Sequence, residues 1–128
     1  MEDSPPDFIV IRTPHAMRGP TRLYEASLDL VEQVHLVLEG AVARFYLKDR
    51  IDKGATGIAM RLGRAQTEAA SLRWRHYRDV LEQLVDVATL LDIVDRQQVT
   101  SELTALAAAR ALARRLMTEI RPLAGLGF

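Results

Sequence analysis

Glu32 and His35 stand three residues apart in a stretch of helical hydrophobic spacing, the spacing of a carboxylate-bridged di-iron ligand pair. A bundle that uses such a pair needs a second one and further inward-facing glutamates. None follows: His76 is preceded at that spacing by Arg73, and His15 lies among prolines near the N-terminus. His35 therefore reads as a partly buried seam histidine, and no metal or cofactor is expected. Glu25, Asp29 and Glu32 share a helical side and could mimic an acid-base pair, but carboxylates at such spacing usually form a solvated face. Ser27, Ser71 and Ser101 lack visible His and Asp partners, and Gly54, Gly57 and Gly63 do not match a phosphate-binding loop. With zero cysteines there is no disulfide framework, thiolate zinc site or cysteine nucleophile. No catalytic residue emerges, and the chain is expected not to be an enzyme.

The stronger signal is a basic cluster. From Arg44 to Arg78 nine basic residues stand against three acidic ones, and Arg61, Arg64, Arg73, Arg75 and Arg78 bracket one turn. Trp74, His76 and Tyr77 are interleaved with them, and arginines beside aromatics suit phosphate contact with base stacking. RNA or DNA binding by these five arginines is one reading. Self-assembly is the other: Glu25, Asp29, Glu32 and Glu39 lie upstream and Asp79, Glu82, Asp86, Asp92 and Asp95 downstream, so acidic surface is available to a neighbouring copy. The whole chain, with 17 basic and 17 acidic side chains, has no net charge to drive either event from a distance.

The elements that position these residues follow from hydrophobic periodicity. A chain of 128 residues suits one domain with one sizeable core. Residues 1–20 hold Pro5, Pro6, Pro14 and Pro20 around the apolar run Phe8 to Ile11, which points to an N-terminal arm, either a disordered tail or a segment packed on its own bundle or a neighbour's. Helices are expected from about Pro20, with a seam of Tyr24, Leu28, Val31, His35 and Leu38 widened by Leu23, Leu30, Val34 and Val37; from Arg44 to Ala65; from Ser71 to Val94; and from a Thr100-Ser101 cap to Pro122. The second carries three interior glycines, each costing about 1 kcal/mol relative to Ala, so close approach by another helix is expected, with a hinge or ligand groove as the alternative. In the third, ten of the fifteen residues from Val80 to Val94 are apolar, more than one buried face requires. Val80, Leu84, Val87, Leu91 and Val94 are accordingly expected at an oligomer interface. Short connections make neighbouring helices antiparallel, giving an all-α, up-and-down four-helix bundle over residues 21–123 with a flexible tail at 124–128. No run approaches the roughly 20 apolar residues of a membrane span, and no signal peptide is visible, so a cytoplasmic protein without a membrane partner is expected.

The stretch Tyr46-Leu47-Lys48-Asp49-Arg50-Ile51-Asp52-Lys53-Gly54-Ala55-Thr56-Gly57-Ile58-Ala59 resembles the central motif of the four-helix-bundle proteins encoded in intervening sequences of bacterial large-subunit ribosomal RNA genes, whose relatives include the accessory variability protein of diversity-generating retroelements. Leu23-Tyr24-Glu25 and the stretch from Leu81-Glu82 to Ile93 are similar too, so the resemblance spans residues 21–123. It implies a ring-shaped homopentamer without enzymatic activity. For the retroelement branch it also implies a basic surface that binds nucleic acid and a reverse transcriptase. Where many members read Asn-Ile-Ala-Glu-Gly this chain reads Arg61-Leu62-Gly63-Arg64-Ala65, and Arg78-Asp79 replaces a frequent Gly-Ser. The leading expectation is an accessory or scaffold protein, with a protein-protein adaptor as alternative and a small bundle metal protein or enzyme at Glu32 and His35 as a third.

Overall fold

The computed structural model describes residues 19–125. Residues 1–18, most of the expected N-terminal arm, lie outside this range, as do residues 126–128. Four helices make up the described chain: α1 Pro20–Glu39, α2 Phe45–Ala65, α3 Arg73–Gln97 and α4 Leu103–Ile120, with 3-10 turns at Ala70–Leu72 and Arg121–Ala124. The fold is an all-α four-helix bundle. Each helix packs on its neighbour in sequence, and α4 closes on α1.

Pairs of contacts fix the directions. Gly63 meets Tyr24 while Asp52 meets His35, so α1 and α2 run antiparallel; Gly54 meets Val87 while Arg61 meets Asp79, so α2 and α3 do as well. Between α4 and α1, Glu119 pairs with Arg22 and Thr100, just before α4, reaches Val37. At that second end the connections 40–44 and 98–102 clasp each other. Val42 N–H donates to the Val99 carbonyl at 2.7 Å, Ser101 N–H to the Gly40 carbonyl at 3.0 Å, and the buried Thr100 hydroxyl to the Val37 carbonyl at 2.8 Å.

The sequence expectation for the start of α4 is corrected by this clasp. Thr100 and Ser101 do not cap the helix: Glu102 holds the N-cap position without a side-chain cap bond, and the Thr100 hydroxyl accepts from Glu102 N–H while donating to Val37. A buried hydroxyl satisfied in both roles is worth more there than as an exposed cap. At the end of α3, Gln98 takes a left-handed conformation, φ 54 and ψ 43.

Two faces differ from the periodic reading. On α1 the buried line is Leu23, Ser27, Leu30, Val34 and Val37, one residue out of phase with the expected seam. Leu28 and His35 are exposed, and Tyr24, Val31 and Leu38 lie half-buried on the flank. Ser27 enters the core because its hydroxyl donates to the Tyr24 carbonyl at 2.6 Å, which satisfies it inside its own helix. On α3, Val80, Leu84, Val87, Leu91 and Val94 are only 0–1% exposed, so they belong to the chain's own core and not to a subunit interface. α2, α4 and the Arg121–Ala124 turn all pack on α3, which buries most of its apolar run, while Val85 and Ile93 stay exposed. That turn also corrects the expected tail, since Ala124 is buried in the core.

The glycines of α2 admit neighbouring helices closely. A Cβ on Gly54 would lie 2.7 Å from Val87 Cγ2, one on Gly57 2.6 Å from Gln83 Nε2, and one on Gly63 3.3 Å from the Tyr24 ring. The neighbours differ in freedom, and so should the outcomes of substitution. Gly57→Ala pushes only the end of a flexible side chain and gains helix propensity, so thermal denaturation should show stabilisation of up to about 1 kcal/mol. Gly54→Ala drives into a β-branched core side chain that cannot swing away, and overpacking of about 1–3 kcal/mol should cancel or exceed the gain. Equal shifts for the two variants would contradict this packing.

Candidate nucleic-acid interface

The basic cluster is built by the C-terminal end of α2, the connection 66–72 and the first turns of α3. The connection folds back on α2 through Thr67, whose hydroxyl donates to the Arg64 carbonyl at 2.9 Å. Arg73 completes the joint: its Nε–H is shared between the Ala65 carbonyl at 3.0 Å and the Glu68 carbonyl at 3.1 Å. It thereby ties the last carbonyl of α2, which also accepts from Glu68 N–H at 3.2 Å, to the carbonyl of Glu68 in the connection, and its half-buried side chain is occupied within the fold. Arg73 is thus a structural clamp for the turn, which spacing alone did not distinguish from a surface contact.

The other four arginines divide by partner. Arg61 Nη1 lies 3.2 Å from Asp79 Oδ2, tying α2 to α3. Arg64, Arg75 and Arg78 are exposed and form no ion pair among the described residues. Arg78 sits over Trp74, its guanidinium carbon 5.6 Å from the ring centroid, while Trp74 itself remains 42% exposed. Thus one aromatic and three cations without an ion pair among the described residues share the α2 to α3 end. Neither remaining member of the aromatic trio joins them: Tyr77 is buried in the core, and His76 turns inward with Nε2 3.4 Å from Glu68 Oε2.

Burial raises the Tyr77 phenol above its ordinary pKa of 10.0, and the nearby charge of Arg73 pulls part of the way back. A folded-state value raised above the unfolded one means the proton is held more tightly in the folded chain, so this contribution to stability is intact below about pH 10 and lost as pH rises through the folded value. The unfolding midpoint should therefore fall above about pH 10, and Tyr77→Phe should flatten that fall, as thermal scans across pH would show.

Much of the acidic surface is consumed inside the chain. Asp92 and Asp95 bind Arg110 at 2.7 and 3.1 Å, and Asp49 binds Lys53 at 3.1 Å. His35 is a surface residue 3.1 Å from Asp52, not a seam histidine, and among the described residues no three His, Cys, Asp or Glu side chains are grouped to hold a metal ion. Among the described helices none is long and apolar enough to cross a membrane.

Sequence reasoning missed a second surface. At the clasped end Val42 is 86% and Phe45 81% exposed, and Tyr46 and Leu103, in the first turns of α2 and α4, are exposed as well. Their periodicity is that of ordinary helix starts, and only the meeting of the two connections, where Val42 N–H bonds to the Val99 carbonyl, places them at one end of the bundle. Comparison with known proteins adds no relative: no family model, curated protein or solved structure matches the chain.

Proposed function

We propose that this chain is a non-enzymatic, cytoplasmic binding module that assembles with copies of itself and presents the α2 to α3 end to RNA or DNA. The observation that carries this reading is the set of exposed arginines, Arg64, Arg75 and Arg78, left without acidic partners among the described residues beside the half-exposed Trp74. Cations that are already solvated and unpaired can meet phosphate without breaking an internal ion pair, and an open indole offers a face to an unstacked base. Supporting self-assembly is the exposed patch of Val42, Phe45, Tyr46 and Leu103, which replaces the interior residues of α3 as the candidate contact between copies. The family resemblance of the α2 sequence supplies the number of copies, five in a ring, and a reverse transcriptase as a candidate partner. The same patch favours a second reading, an adaptor that binds another protein through the clasped end without touching nucleic acid.

Light scattering at low and high salt, alone and with RNA or single-stranded DNA, tests these claims together. A particle of five 14.3 kDa subunits, shifted by nucleic acid in a salt-sensitive way, supports the proposal. An assembled particle indifferent to nucleic acid favours the adaptor. A monomer that ignores both overturns the two readings alike.

A further inference from the structure

The outer face of α3 changes sign along its length. Arg75 and Arg78 stand three residues apart, about 5–6 Å between Cβ atoms, and both are exposed without an ion pair among the described residues. Glu82 follows four residues after Arg78 and seven after Arg75, and Asp86 eleven after Arg75, so the four side chains line one stripe of the helix. Both carboxylates are exposed too, and neither forms an ion pair among the described residues. From Asp79 to Asp95 the helix holds no basic residue. The positive footprint on α3 is therefore about one turn long, and repulsion of phosphate begins about 6 Å beyond Arg78.

Trp74, the chain's single tryptophan, stands in the same turn. Arg78 lies over its ring, 5.6 Å from the centroid, and 42% of the residue stays exposed. With Tyr77 buried and His76 turned to Glu68, the indole is the one exposed ring on α3, and with a guanidinium held over it there is room for one base.

We propose that this end selects single strands over duplexes: Trp74 stacks one unpaired base, Arg78 holds the ring from the other side and meets the adjoining phosphate, and Glu82 and Asp86 turn a duplex away. The inference rests on the nucleic-acid reading above and adds the kind of strand that is bound. A duplex keeps its bases stacked on one another, so the indole gains nothing from it. It is also stiff and broad, with a persistence length of about 150 base pairs and a major groove alone about 12 Å wide. Laid along α3 from Arg75 it meets Asp86 about 16 Å further on, and laid across the helix its width still reaches Glu82. A single strand bends sharply, so a few nucleotides can cover Arg64, Arg75 and Arg78 and turn off before the carboxylates. Neither stacking nor phosphate contact reads the 2′-hydroxyl, so RNA and DNA strands are bound alike.

Because Trp74 is the only tryptophan, its fluorescence reports the contact directly. The full chain is titrated at low salt with a single-stranded DNA, the same sequence as a duplex, and a strand of equal length built of abasic sites. The intact strand should quench Trp74 and bind on the order of 10-fold tighter than the other two, neither of which quenches. Trp74→Ala, followed by anisotropy of labelled strands, should bring the intact strand down to the level of the abasic one, and Trp74→Phe should restore most of the loss. Glu82→Gln with Asp86→Asn should raise duplex affinity on the order of 10-fold and leave single-strand affinity within about two-fold. Equal binding of all three ligands without quenching, or a duplex affinity unmoved by the neutral pair, overturns the selection and leaves the nucleic-acid reading standing. Binding of none of them overturns both.

Discussion

Leu84→Asp should abolish cooperative unfolding of the helices, leaving a chain without a thermal transition by circular dichroism. Leu84 is wholly buried, midway along α3 where α2 and α4 both pack on it. Truncating such a leucine costs about 2–5 kcal/mol, and placing an unpaired carboxyl group there adds several more. Domains of this size have total stabilities of about 5–15 kcal/mol, so the sum removes most or all of the folded state. The neighbouring Val85→Asp is the control. Val85 is 48% exposed, and a change there should stay within about 0.5 kcal/mol. A folded Leu84→Asp protein that had lost only its native mass would return α3 to the role of subunit interface and contradict the core described here.

The second large effect concerns the free arginines. Substituting Arg64, Arg75 and Arg78 together with Ala should weaken nucleic-acid binding on the order of 100-fold at low salt, with the salt slope shallower by about 0.7–0.9 for each phosphate no longer neutralised. Fluorescence anisotropy titrations at several salt concentrations measure both. The thermal midpoint should barely move, because these side chains form no ion pair among the described residues. Arg73→Ala should behave in the opposite way. Its Nε–H is shared by two backbone carbonyls, so removal should cost about 1–3 kcal/mol of stability with little direct effect on binding. Unchanged affinity in the triple variant would remove the carrying observation from the nucleic-acid reading.

The helices were legible because their punctuation is local. Pro20 opens α1, Gly40 follows it, and Pro122 lies just beyond α4, and each acts through its own backbone geometry. The phase of α1 was not legible. Its apolar residues cover so wide an arc that two seams one residue apart fit equally well, and the choice falls to Ser27, a polar residue that buries itself by bonding to its own helix. The excess apolarity of α3 points to a subunit interface, but most of the run faces α2, α4 and the Arg121–Ala124 turn, whose return to the core has no periodic signature, while Val85 and Ile93 remain exposed. Likewise the five arginines are identical in sequence terms. Arg73 became a clamp and Arg61 an ion pair because of which carbonyls and carboxylates the turn brings to them, and those are tertiary facts.

The clasp between residues 40–44 and 98–102 also bears on the order of folding events. Its side-chain contacts join residues 61 and 63 apart in sequence, whereas the α1/α2 and α3/α4 pairs are each closed by a short connection. Chain entropy favours the two hairpins forming first and the clasp closing after the rate-limiting step. Interactions made that late govern how fast the native state is left, not how fast it is reached. Thr100→Val, which removes the hydroxyl bonded to Val37 and Glu102, should therefore speed unfolding about ten-fold in stopped-flow traces while the refolding limb stays in place. The clasp is in this sense a latch on a finished bundle, setting its lifetime.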